Sequence, residues 1–179
     1  MKAWDKYSEA KYFLEKMKEN ISNPDVFRYN LSAFLAATRS ITFVLQKEFK
    51  NKKEGFNEWY AEKGKEMEND ELMNFMNEKR KVTIHEETIK PLGRHSVSIE
   101  ASVYIADSVE IKHIRNGEVI EERKIPPEPK EDKKEETVEA KHRYFFQDYP
   151  SGEKEIIPAC EKYLFKLNNL LKEAEKLFG

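Results

Sequence analysis

Around Pro91-Leu92-Gly93 the spacing of apolar residues switches from about 3.6 to 2, and beyond residue 150 it switches back. Period 3.6 marks one stripe of a helix, and period 2 marks one face of a strand. The chain is therefore expected to be α+β, mainly α, with strands interrupting a set of helices. Its last stretch, Glu153 to Phe178, puts Ile156, Cys160, Tyr163/Leu164, Leu167, Leu170/Leu171, Ala174 and Leu177 on one stripe. So long a stripe cannot be buried alone, and it predicts a return onto the first helices. The expected architecture is an antiparallel helical bundle with an inserted four-stranded antiparallel β-sheet before the last helix. Residues 1–92 would give the bundle helices, 93–149 the insert, and 150–179 the final helix, with Pro158 near its first turn.

Local signals refine this plan. Tyr7, Ala10, Phe13/Leu14 and Met17 mark a helix over 4–19. Asn23-Pro24 opens the next, with Asn as cap and Pro at the first helical position. That helix runs to about Lys50, and its middle, "LSAFLAATRSITFVLQ", is apolar on most sides, as befits a central helix. Phe56, Trp59 and Tyr60 suggest a short helix ending near Gly64, and Asn69 or Asp70 can cap another that carries Leu72, Met73, Phe75 and Met76. Within "HSVSIEASVYIA", Val97, Ile99, Ala101, Val103 and Ile105 share one face, which predicts a half-buried strand. "SVEIKHIR" and "EVIEERKI" flank Asn116-Gly117, a type I′ hairpin signal. Segment 126–137 reads as a disordered charged loop, and "VEAKHRYFFQ" as the fourth strand.

Charge bears on function. Lys plus Arg number 32 against 34 for Asp plus Glu, a net charge of -2, which excludes a protein that coats nucleic acid electrostatically but not a local basic cleft. A single cysteine, Cys160, rules out an intrachain disulfide. The charged first twenty residues do not resemble a signal peptide, and no apolar run suggests a membrane span. A cytoplasmic location with no membrane partner is expected. One cysteine and no histidine pair at three- or four-residue spacing argue against a zinc site, so no metal and no cofactor are expected.

"NEKRKVTIHEE" holds the chemistry that stands out. Arg80 and His85 lie at the end of an inner helix, separated by four residues. Histidine can take or give a proton near neutrality, and an arginine fork suits phosphate oxygens. Together they fit cleavage of an RNA phosphodiester without metal, the histidine acting on a ribose hydroxyl and the arginine on phosphate charge. Five positions span roughly 140° of a regular helix, so the pair can converge only if the β-branched run Val82-Thr83-Ile84 loosens the last turn. A two-fold dimer would supply a second histidine. Ser32, Arg39 and Gln46 recur every seven residues and form a polar seam on the central helix. Arg39 adds a second phosphate contact, pairs with a carboxylate such as Glu48, Glu71 or Glu78, or lines a dimer seam. Trp59 and Tyr60 could stack on a base, although aromatics near a helix start usually belong to the core.

A helical bundle with Arg, four to six residues, then His near the end of an inner helix resembles the HEPN family (higher eukaryotes and prokaryotes nucleotide-binding). The resemblance covers residues 1–90 and 150–179 and not the strands. It implies a homodimeric, metal-independent endoribonuclease of the toxin–antitoxin or phage-defence kind, with Arg80 and His85 catalytic, RNA as substrate and an antitoxin as a candidate protein partner. The position after the arginine, usually Asn, Asp or His in that family, is Lys81 here, which would make it a phosphate contact beside Arg39. Some family members have lost catalysis. The competing expectation is accordingly a non-catalytic binding or dimerisation module, in which the hairpin face bearing Tyr104, Lys112 and Arg123 would engage a partner.

Overall fold

The computed structural model describes residues 1–85, 89–100, 109–125 and 137–179, with the side chains at 83–85, 99–100, 109 and 137–139 outside that description. The protein is α+β and mainly helical. Its elements run α1 (Ala3–Glu19), α2 (Pro24–Phe49), α3 (Phe56–Asn69), α4 (Glu71–His85), β1 (Leu92–Glu100), β2 (Val109–Arg115), β3 (Glu118–Ile125), β4 (Thr137–Phe146), β5 (Lys154–Glu155) and α5 (Ile156–Phe178). The chain divides into two compact units, one comprising Met1–His95 with His142–Gly179 and the other Ser96–Lys141.

In the helical unit, caps and stripes explain the elements. Asn23 accepts a hydrogen bond from the Val26 amide at 3.1 Å, with Pro24 in the first turn, so α2 begins where the sequence signals it. Asp70 does the same for the Met73 amide at 3.0 Å and starts α4. Helix α3 runs through Gly64 to Asn69, further than expected, because a single helical glycine costs only about 1 kcal/mol against alanine. Phe27, Leu31, Phe34, Leu35, Ile41 and Leu45 of α2 are buried, and so are Ile156, Cys160, Tyr163, Leu164, Leu167 and Leu171 of α5. Each large apolar side chain so buried stabilises the fold by about 1.5–3 kcal/mol. The last helix does return: α5 packs against α1, α2 and α4. Near its end Phe178 meets Phe49, Phe56 and Trp59 with ring centroids 5.3–6.4 Å apart. Trp4 donates its indole N–H to Glu175 at 3.1 Å, and Trp59 donates to Glu173 at 2.9 Å.

The strands pair differently from the expectation. Instead of one four-stranded sheet, the described residues form a three-stranded sheet in the order β1-β4-β5 and a separate two-stranded hairpin, β2-β3. Strand β5 escaped sequence reading because two residues cannot display a period. It pairs antiparallel with the end of β4 (Phe145 with Glu155, Phe146 with Lys154), whose Tyr144 stacks on Phe27 at 4.1 Å and whose Phe146 meets Phe75 at 5.1 Å. The hairpin itself matches its signal. Asn116 and Gly117 have φ of 53° and 86°, both in the left-handed region that a type I′ turn requires. Its strands are antiparallel, with Arg115 opposite Glu118 and a bulge between His113 and Ile114.

Of the alternating face from Val97 to Ile105, only Val97 has a side chain within the described residues. Val97 is 62% exposed, and every position from Glu110 to Ile125 is exposed. Alternation shows which side of a strand is apolar and leaves open what covers it. Ala101, Val103, Tyr104 and Ile105, and the charged loop at 126–136, lie outside the described residues.

Candidate functional site

The polar seam of α2 opens onto a cleft. Arg39, Thr42 and Gln46 form one wall, Tyr60 of α3 and Asn77 of α4 line others, and Tyr163 of α5 borders it, around a volume of about 260 Å³. Helix periodicity places the α2 residues. Positions 39, 42 and 46 advance by three and four, so they share one face of α2 beside the buried stripe.

Hydrogen bonds hold this wall in place. Arg39 Nη1 donates to Thr42 Oγ1 at 2.7 Å, and the Thr42 hydroxyl donates to the Arg39 carbonyl at 3.1 Å. Gln46 Nε2 donates to the Tyr60 hydroxyl at 2.9 Å. Burial pushes the Tyr60 phenol above its ordinary pKa, partly opposed by hydrogen bonding to Gln46 and Thr42 and by the Arg39 charge. Tyr163 goes further: burial pushes it up to about 12, against a hydrogen bond with Thr38 and the positive charges of Arg39 and Arg80. Both phenols are protonated near neutrality. They can donate hydrogen bonds to an anion and cannot serve as bases.

Arg80 and Arg39, on different helices, therefore act on one phenol. Arg80 does not line the cleft, but its Nε is buried without a hydrogen-bond partner. Among the described residues neither arginine forms an ion pair with a carboxylate. The three acids considered for Arg39 are engaged elsewhere. Glu48 accepts from the Lys2 amide at 2.9 Å, Glu71 from the Ser151 hydroxyl at 3.0 Å, and Glu78 pairs with Lys81 at 2.5 Å. Glu68 lines the cleft as well, one carboxylate in the same cleft as Arg39.

The other sequence candidates fare differently. Lys81 is exposed, pairs with Glu78 three residues earlier, and is not part of the cleft wall. Helix α4 continues through His85, so the last turn does not loosen and positions 80 and 85 stand roughly 140° apart around its axis. The His85 side chain lies outside the described residues. Trp59 and Tyr60 pack against the core, with only Tyr60 reaching the cleft. Sequence reading missed Thr42 and Tyr163. Tyr163 passed as one more apolar position in the α5 stripe; its hydroxyl was the available signal.

Among the described residues no helix is long and apolar enough to cross a membrane. Comparison with known proteins found no match among curated proteins and none among solved structures. A family model does match, and it overturns the HEPN resemblance. That resemblance rested on a short Arg/His spacing, whose two positions the regular helix turns apart, whereas the family match spans nearly the whole chain, strands included. The chain belongs to the family described as bacteriophage lambda protein ea47, whose model matches residues 3–179.

Proposed function

We propose that this protein is a non-catalytic binding module that holds a phosphate-bearing ligand, an RNA strand, at the Arg39 cleft. The observation that carries the reading is Arg39 on the wall of a cleft that Tyr60 and Tyr163 also line, held to Thr42 and in no ion pair with a carboxylate among the described residues. Arginine forks bind phosphate oxygens through two parallel charge-assisted hydrogen bonds. Two protonated phenols add donors without adding a base. A net charge of -2 is consistent with one local contact and not with an extended electrostatic track.

Fluorescence anisotropy with a labelled single-stranded oligoribonucleotide tests this. Arg39→Gln should weaken binding by about tenfold, the equivalent of 1.4 kcal/mol, with a shallower salt dependence. Affinity equal to that of the wild type in Arg39→Gln would refute the reading.

A second reading retains catalysis: a metal-independent endoribonuclease in which Arg80 holds phosphate and His85, from the same or a partner copy in a homodimer, moves the proton. The unpartnered Nε of Arg80 favours it. RNA cleavage in excess EDTA that disappears in His85→Ala would replace the binding reading with this one.

A further inference from the structure

The chain leaves the helical unit after His95 and re-enters it at His142. These residues are 47 apart in sequence, yet β1 and β4 are sheet neighbours, and His95 Nδ1 stands 2.6 Å from His142 Nδ1. The rings lie 4.8 Å apart at 65° to one another. At that distance one nitrogen donates a proton and the other accepts it through a lone pair, so both Nδ1 atoms face the same point.

An imidazole lone pair of this kind is also the commonest protein ligand for transition metals. The surroundings leave the two rings available. Arg94 is paired with Glu153, and Arg143 donates from Nε to Glu155 at 3.0 Å, so these two acids at and just before β5 are engaged. No carboxylate pairs with either imidazole among the described residues. His95 is exposed and His142 half-buried, which admits a hydrated ion. Gly93 makes room for the arrangement: a Cβ there would meet His95 Nε2 at 3.1 Å and Tyr144 Cε1 at 3.2 Å.

We propose that His95 and His142 form a cross-strand chelate for a late first-row divalent metal ion, Cu²⁺ most tightly and Zn²⁺ less so, in keeping with the general affinity order. Metal–nitrogen bonds of about 2.0–2.1 Å require ligand nitrogens roughly 3 Å apart, so the rings separate by a few tenths of an ångström as the ion enters. On binding, each imidazole offers the Nδ1 lone pair to the ion and carries its proton on Nε2. No group of three or more His, Cys, Asp or Glu is arranged to hold a metal among the described residues, so water completes the coordination. The bound ion ties β1 to β4 at the two residues where the insert begins and ends.

Calorimetric titration of the full chain with CuSO₄ and with ZnCl₂ tests the site. One ion per chain is expected. His95→Ala and His142→Ala should each weaken binding by at least tenfold, at or beyond the ~10–100-fold lost with outer ligands, and the double variant by little more than either. Gly93→Ala, which displaces the His95 ring, should weaken it less. Unchanged affinity in the double variant, or no binding by the wild type, would overturn the proposal. Electron paramagnetic resonance of Cu²⁺ on the wild type decides independently of whether the variants fold. Coupling to two imidazole nitrogens is the expected spectrum, and coupling to one or none contradicts the chelate.

Discussion

Helix α5 and the β2-β3 hairpin both carry a regular apolar pattern, and only one of them is buried. Leu167 of α5 is 0% exposed, whereas Ile114 and Ile120 of the hairpin are 64% and 61% exposed. The α5 stripe faces α1, α2 and α4. For the hairpin, cross-strand ion pairs such as Lys112 with Glu122 at 3.1 Å join the turn in holding the two strands together. A helical period therefore forecast burial because other helices offered matching stripes. A strand period forecast only which side chains lie together.

Substitutions can break this contrast, and the largest effect belongs to the helix. Leu167→Ala should destabilise the helical unit by about 2–5 kcal/mol, read from urea unfolding, because it leaves a cavity between packed helices. An effect below 1 kcal/mol would mean that α5 packs loosely, as the hairpin strands do. Asp70→Ala comes next, at about 1–2 kcal/mol, since it removes both the α4 cap and the ion pair to Lys166 at 2.5 Å.

Asp70 also has a pH signature. Burial alone would raise its pKa, but hydrogen bonding to Lys166 and to the Met73 amide holds it below the ordinary value. Its stabilisation is therefore fully present above the unfolded pKa and is lost as pH falls through the lower folded one. Asp70→Asn, which keeps a capping oxygen, should flatten the acid limb of the stability profile while costing less near neutrality.

Asn23→Ala should cost about 1 kcal/mol through the α2 cap alone, measured in the same unfolding assay. Smallest is Ile120→Ala, expected within about 0.5 kcal/mol because the side chain is already in solvent. A loss above 1 kcal/mol there would show that the hairpin face is covered in solution.

Which parts were legible in the sequence follows the same division. Asn23-Pro24, Asn116-Gly117 and the α5 stripe are local signals, each complete within a few turns or one hairpin, and each appears where expected. Pairing between distant strands is not local. Nothing near His95 announces His142, and two residues of β5 carry no pattern. The cleft was half legible: a seven-residue seam pointed to Arg39, while Tyr163 belongs simultaneously to the core stripe and to the cleft edge. The Arg80/His85 spacing misled as to family for a statistical reason. With seven arginines and four histidines in the chain, roughly 0.5 such spacings arise by chance, so the motif needed geometric support that a continuous α4 does not supply.

The two indole hydrogen bonds give the molecule an optical readout of its own. Trp4 and Trp59 are the only tryptophans of the chain, and both donate to the end of α5, at Glu175 and Glu173. Their emission is consequently a gauge of whether the C-terminal helix is docked. Residues 96–141 contain no tryptophan and stay dark in the same channel. A red shift on detachment of α5 would register while melting of the hairpin passed unseen, so one cuvette measurement separates the fates of the two regions.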